Sequence, residues 1–292
     1  MARVGYDRGV NAPLSITTAD AAGVATIVDW AAAEGWNPGL HDAAAFHAAD
    51  PGGFLLGSID GEPVGAISVV SFGPAFCFLG LYIVRPEWRG RGHGLAMWRA
   101  GIALAGQRTI GLDGVVERQG DYAQSGFTLV RRNVRYGGTG GGVPDGGGGV
   151  VVVALKEVNR AAILDYDAGI FPARRERFLD AWLGMPGSHG LAALRDGDLV
   201  AFGVARQCRV GVKVGPLFAD DEATAQALFA GFSAWTGDQP IFLDVPEPNA
   251  AARRLAERHE MSPVFETARM YRGEAPAEPV ERIFGVTTFE LG

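Results

Sequence analysis

Two periods of apolar positions alternate along this chain, and the changes between them mark out its elements. In "DAAGVATIVDWAAAEG", Val24, Ile27, Val28 and Ala31 stand at i, i+3, i+4 and i+7, which predicts an amphipathic helix. "GWNPGL" stops it through Gly35, Pro38 and Gly39, and a short helix is expected from Ala43 to Ala49. Strands follow from Gly53 to Ser58, Val64 to Ser71 and Phe76 to Val84. A helix is expected from Gly94 to Ala105, with Leu95, Trp98, Ile102 and Ala105 on one face. A strand from Thr109 to Asp113, a helical turn around Asp121 to Ser125 and a strand from Phe127 to Tyr136 complete this part. Hairpins followed by alternating strand and helix predict an α+β fold, with a mixed, mostly antiparallel sheet flanked by helices.

The same order recurs. "IDGEPVGAISVV" (Ile59 to Val70) matches "RDGDLVAFGVAR" (Arg195 to Arg206), each with an Asp-Gly turn between strands. "IGLDGV" matches "IFLDVP", placing Asp113 against Asp244, and the segments ending "VRYGG" and "MYRG" also correspond. Between the copies lies "GGTGGGVPDGGGG", which has almost no side chains from which to build a core and reads as a linker. The expected organisation is a first lobe at 1–137, a linker at 138–149, a second lobe of like fold at 150–273, and a tail at 274–292. The tail, "VERIFGVTTFELG", is apolar and strand-like, so it is expected to pack on the lobes.

The chain has 292 residues and a net charge of −7, which argues against a nucleic-acid binder, since that needs a basic face to displace phosphate counterions. Its N-terminus lacks the apolar core of a signal peptide, and no stretch reaches the roughly 20 apolar residues of a membrane span. A cytoplasmic protein with no membrane partner, monomeric or weakly dimeric, is expected. Cys77 and Cys208 are expected as buried thiols. The histidines and cysteines have no metal-ligand spacing, so no metal is expected.

One local cluster of positive charge interrupts the acidic background: "RPEWRGRGHGLAMWRA" (Arg85 to Ala100). No lysine follows its glycines, so it is not a P-loop. Its spacing and its distance from the preceding strand do not fit a dinucleotide fingerprint. It does place Arg89, Gly90, Arg91, Gly92, His93, Gly94 and Leu95 where a strand gives way to a helix. The first N–H groups of a helix have no partners inside it, and glycines let an anion approach the backbone. A diphosphate is the expected guest.

With Arg89, Gly92 and Gly94 in the pattern R-x-x-G-x-G, and "YAQSGF" (Tyr122 to Phe127) downstream, the chain resembles the GNAT (Gcn5-related) N-acetyltransferases, in a two-lobed bacterial form. The resemblance implies acetyl-CoA as co-substrate, its pyrophosphate on the glycine loop and its pantetheine on the backbone of Leu81, Tyr82, Ile83 and Val84. It also implies acetyl transfer to a primary amine, here expected on a small molecule, with Tyr122 as general acid for the thiolate. Protein acetylation and a non-catalytic acyl-CoA sensor stay open as alternatives. Trp36, Asn37 and Asp42 are expected to line the acceptor side. Glu117, Asp121, Asp42 and His41 are candidates for the base, none selected by spacing. In the second lobe, Asp220, Asp221 and Glu222 replace the glycine loop and Ala256 stands in the place of Tyr122. That lobe is therefore expected to be non-catalytic, its Asp244 and Glu247 helping to bind a cationic amine.

Overall fold

Both Asp-Gly pairs turn as the pattern requires. Asp60 and Gly61 have φ of 51° and 80°, and Asp196 and Gly197 have φ of 53° and 91°, the left-handed conformation that a two-residue hairpin demands at both positions. These turns belong to a computed structural model that describes residues 13–142 and 149–292. Residues 1–12 and 143–148, and with them the sequence N-terminus and the middle of the glycine-rich segment, lie outside the described residues.

The first lobe carries β1 (Ser15–Thr18), α1 (Ala21–Ala33), α2 (Asp42–Ala49), β2 (Phe54–Ile59), β3 (Glu62–Ser71), β4 (Phe76–Val84), α3 (His93–Ala105), β5 (Thr109–Val115), α4 (Gln119–Gln124) and β6 (Thr128–Thr139). The second carries β7 (Val151–Ala154), α5 (Arg160–Ala168), α6 (Glu176–Leu183), β8 (Ser188–Arg195), β9 (Asp198–Gln207), β10 (Val212–Ala219), α7 (Glu222–Thr236), β11 (Pro240–Pro246), α8 (Ala250–Arg258), β12 (Ser262–Arg272) and β13 (Ile283–Gly285). Helix α1 forms as its periodicity predicts. Asp20 caps it by accepting a hydrogen bond from Gly23 N at 2.8 Å, a device that contributes about 1 kcal/mol. Val24, Ile27, Val28 and Ala31 are its buried face, each of the larger ones contributing about 1.5–3 kcal/mol by leaving water.

Helix α3 departs from expectation. Its buried residues are Met97, Gly101 and Ala105, while Leu95 is 52% exposed. Gly101 sets this face: a Cβ there would press on the Ile67 side chain of β3 at 2.8 Å, so the helix sits close on the sheet. Leu95 and Trp98 are left at the edge of a cleft.

The lobes share one sheet, in the order β1-β2-β3-β4-β5-β12-β6-β11-β10-β9-β8-β7. Strand β12 of the second lobe lies between β5 and β6 of the first, antiparallel to both. Strand β6 in turn pairs with β11, from Pro240 opposite Thr139 to Pro246 opposite Asn133. The expected linker therefore begins inside a strand: Gly138 and Thr139 are ladder residues, and Gly140 N donates to Gln239 O. Glycine is accommodated because a Cβ on Gly138 or Gly140 would strike Met261 or Gly237.

The repeated aspartates hold this seam. Asp113 of β5 pairs with Arg269 of β12 at 2.6 Å, and Asp244 of β11 pairs with Arg135 of β6 at 2.6 Å. Each lobe thus uses the same strand position to grip an arginine of the other.

Candidate active site

Strands β4 and β5 run parallel from Phe76 opposite Thr109 to Leu79 opposite Leu112, then separate. At the parting, β4 carries a bulge against β3 between Ala66 and Ser68, with Leu81 at φ 47°. A bulge kinks the strand and increases its twist. Past Leu79 the edge of β4 facing β5 has no strand partner among the described residues, and Gly80, Leu81, Tyr82, Ile83 and Val84 line a cleft of about 760 Å³.

The glycine loop closes one end. Gly90 and Gly92 have φ of 74° and 85°, and Gly92 is the left-handed residue that opens α3. A Cβ on either would meet nothing, so glycine is required by backbone conformation and leaves open space in front of the helix. The N–H groups of His93, Gly94 and Leu95 are the first-turn donors that a helix leaves free. At Gly94 the reason differs: a Cβ there would stand 2.8 Å from the Tyr82 hydroxyl and push that side chain aside.

Arg89 lies in the cleft lining but is already engaged: its Nε donates to Val84 O at 2.7 Å, and its guanidinium pairs with Glu34. It ties the loop to the end of β4 and to α1. Arg91 stacks over Trp88 at 5.1 Å, with His93 against the same ring. Arg91, Gly92 and His93 stand outside the cleft wall, whereas Gly90, Gly94 and Leu95 form part of it.

Tyr122 of α4 lies in the wall opposite β4, over Gly114, where any Cβ would collide with its ring. Trp98 packs against it, tilted, at 5.7 Å and also meets Tyr82 at 5.4 Å and Phe127 at 5.8 Å. Burial in this aromatic nest pushes the Tyr122 phenol up to about 12, so it stays protonated. Its hydroxyl makes no hydrogen bond among the described residues.

The far end of the cleft comes largely from beyond the first lobe: Arg135 of β6, Phe265 and Thr267 of β12, and Phe289 and Glu290 of the final segment. Sequence reading missed these residues. The repeat gave a hint, since it paired Asp113 with Asp244, but strand exchange between copies leaves no local pattern. Trp36 does line the cleft, and its carbonyl accepts from Arg135 Nη1 at 2.9 Å.

Asn37 and Asp42 do not line the cleft. Asn37 exchanges two hydrogen bonds with the Val210 backbone, at 2.9 and 3.0 Å, and its carbonyl accepts from Lys213 Nζ. Asp42 is fully buried, accepting from Gly39 N at 2.7 Å and from Arg206 Nε at 2.9 Å. Both fasten the first lobe to the second. Asp244 is likewise committed to Arg135, and Glu247 and His41 are exposed away from the cleft. Of the other candidate bases, Glu117 is outside the wall, and Asp121 lies on its rim, exposed and paired with Arg118 at 3.2 Å.

Among the described residues, the second lobe has no open slot. Strands β10 and β11 also run parallel and part after Val214 and Leu243, but β13 enters the gap. It pairs with β10 at Leu217 and Phe218, and Val286 N donates to Asp244 O at 2.9 Å. Gly215 faces the inserted chain so closely that a Cβ would overlap the Val286 and Thr287 carbonyls. At the helix start, Asp221 caps α7 by accepting from Thr224 N at 2.8 Å and pairs with Arg195. Ala256 is buried in α8. Among the described residues, the second lobe's strand gap is thus filled by its own chain, and the helix that follows it starts on an acidic cap.

Among the described residues, no group of His, Cys, Asp and Glu has metal-holding geometry, and no helix is long and apolar enough to cross a membrane. Cys77 and Cys208 are free and buried, burial pushing Cys77 up to about 11.

A parted strand pair beside a glycine-opened helix, with a phenol across the gap, is the site of an acyl-group transferase. The profile of the acetyltransferase (GNAT) family matches residues 22–125, and that of an acetyltransferase (GNAT) domain matches residues 163–285. Between them they span most of the chain, which belongs to the GNAT acetyltransferases and carries two such domains in tandem. It is 29% identical to the holothin acyltransferase of Pseudoalteromonas sp. (strain SANK 73390) over 269 residues, 90% of each chain. Its fold is shared by a Pyrococcus horikoshii protein of solved structure, with TM-score 0.80 and 23% identity over the whole of both chains. It is also shared by a tandem GNAT protein from the clavulanic acid biosynthesis pathway, with TM-score 0.60 and 14% identity over 91% of this chain and all of that one.

Proposed function

We propose that the first lobe transfers an acetyl group from acetyl-CoA to the primary amine of a small molecule. The observation that carries this reading is the contrast between the two strand gaps. In the first lobe the gap is open, floored by aromatic rings and faced by free helix-start N–H groups; in the second the protein's own chain fills it. Pantetheine would lie along the backbone of Leu81 to Val84, its thioester carbonyl polarised by an N–H near the bulge in the manner of oxyanion donors. Its pyrophosphate would meet Gly90, Gly94 and the first turn of α3. The acceptor end is walled by Trp36, Phe265 and Phe289, which favours a compact molecule over an extended peptide. The similarity to holothin acyltransferase supports acyl transfer as the reaction.

Tyr122 would give its hydrogen bond, and then its proton, to the departing thiolate. A phenol raised to about 12 is a poor acid toward a thiolate in water, whose conjugate acid lies near 8.5. Desolvation raises thiols as well, as the buried Cys77 illustrates, and so narrows the gap within the cleft.

Saturating acetyl-CoA is expected to raise the melting temperature, because it binds only the folded chain; absence of both this shift and calorimetric binding would sink the proposal. Tyr122→Phe is expected to lower kcat about 100-fold, within the range for a lost general acid, while leaving acetyl-CoA affinity unaltered. Unchanged turnover would remove Tyr122 from the mechanism.

A further inference from the structure

The seam between the lobes is dense with buried charge, and most of it is matched. Asp42 holds Arg206, Asp244 holds Arg135, and Asp113 holds Arg269. Among the described residues two charges are exceptions: Lys213, whose Nζ donates only to the Asn37 carbonyl, and Glu290. Glu290 is 4% exposed, and among the described residues no arginine or lysine lies within ion-pair distance of it. Its one side-chain hydrogen bond comes from the Thr288 hydroxyl. It nevertheless lines the cleft.

Its position is fixed from the other side by Gly80. A Cβ on Gly80 would collide with the Glu290 carbonyl oxygen and stand 3.2 Å from its Cα. Gly80 is the first residue after β4 and β5 part and immediately precedes the bulge at Leu81. Glu290 is therefore held where the strands open, beside the backbone proposed to carry the thioester. A second observation marks this wall as a polar subsite. The Thr267 hydroxyl is buried, lies in the same lining and has no hydrogen-bond partner, a costly state for a buried polar group unless a guest satisfies it.

We infer that Glu290 is a catalytic residue of the acetyl transfer proposed above, the carboxylate that receives the proton of the acceptor's ammonium, with Thr267 Oγ1 as a second contact for the same nitrogen. The inference rests on that functional reading. An ammonium has no lone pair, so it must lose a proton before it can attack. Glu290 takes that proton, and the freed pair forms the C–N bond. The carbonyl π pair moves to oxygen and returns as the C–S bond breaks, and the thiolate takes the proton of Tyr122. The nitrogen's second proton restores Tyr122 through solvent. Each turnover thus yields amide, free thiol and one proton, delivered to water from Glu290.

The surroundings suit a base. Burial raises the Glu290 carboxyl above its ordinary value; Lys213 of β10 opposes this, Asp42 of α2 adds to it, and Arg135 of β6 and Arg206 of β9 oppose it. Asp244 of β11 faces the same cluster through its pair with Arg135. A carboxylate more basic than usual takes a proton from an amine more readily.

The test compares the unmutated chain with Glu290→Gln on two acceptors, using acetyl-CoA as donor. Tyramine is an ammonium at neutral pH, whereas hydroxylamine is already unprotonated and needs no base. Glu290→Gln is expected to lower kcat/KM for tyramine about 100-fold and to change that for hydroxylamine by less than about threefold, with unaltered acetyl-CoA affinity. An equal loss on both acceptors, or no loss on tyramine, overturns the role. Failure of the unmutated chain to bind acetyl-CoA would instead count against the acyl-transfer reading.

Thermal melts give an arm that needs no acceptor. A carboxyl raised in the folded state binds its proton more tightly there, so its contribution to stability falls as pH rises above the unfolded value near 4.3. Glu290→Gln is expected to abolish that fall, leaving the variant relatively more stable at neutral pH. Parallel curves would contradict the placement of Glu290 in a desolvated site.

Discussion

Asp42→Ala is expected to lower stability by about 3–5 kcal/mol, the usual cost of leaving one member of a buried ion pair without its partner. Arg206 would be stranded. It is 1% exposed, its Nη1 already lacks a hydrogen-bond partner, and its planar head lies 4.4 Å over the Trp182 ring. Gly39 N would also lose the acceptor that fixes the chain between α1 and α2. A melting temperature lower by roughly 5–10 °C is expected for a chain of this size. Acetyl-CoA affinity, measured below the transition, should stay within about twofold, since the glycine loop shares no partner with Asp42. A selective rise in acceptor KM with normal stability would return Asp42 to the substrate site.

Gly92→Val is expected to weaken acetyl-CoA binding about a thousandfold. The residue stands at φ 85° as the cap of α3, a conformation that a β-branched side chain resists by roughly 1–2 kcal/mol. The space around it is open, so packing is not the reason for the effect. The loss comes from turning the first-turn N–H groups away from the diphosphate and placing a side chain in its approach. Two charge-assisted hydrogen bonds forfeited at about 2 kcal/mol each amount to about three decades in affinity. Calorimetry with acetyl-CoA measures this directly, and circular dichroism checks that the fold persists. Affinity equal to that of the unmutated chain would mean that the diphosphate lies elsewhere.

Sequence patterns reached different depths in different parts of this molecule. Helix α1, the Asp-Gly hairpins and the glycine-opened helix were legible because each is encoded within a dozen residues, by periodicity, turn chemistry or positive φ. The internal repeat was legible for the same reason, read twice. The acceptor end was not. Arg135 and Asp244 meet across 109 positions, and Asp113 and Arg269 across 156; nothing in "LDVPEPN" distinguishes an aspartate that binds a guest from one that binds a strand. Asn37 and Asp42, at the start of α2, had the right place and polarity, and their partners lay in the other lobe. Glu290 was hidden for a simpler reason. The final segment read as packing material, since Ile283, Phe284 and Val286 are apolar, and nothing in the pattern sets Glu290 apart from Glu281.

Because β12 completes the sheet beside β5, residues 13–142 made alone would present β5 and β6 as bare edges on either side of a missing strand. Unpaired edges of that length are templates for association with other chains. During synthesis the first lobe must wait, since the strand that fills its sheet ends only at Arg272. The ladder between β5 and β12 forms after nearly the whole chain has been made, and pairings this distant in sequence are slow to find each other. Nascent chains of this protein should therefore depend on shielding of the open sheet, and a stop codon anywhere before β12 should give an aggregate rather than a smaller enzyme.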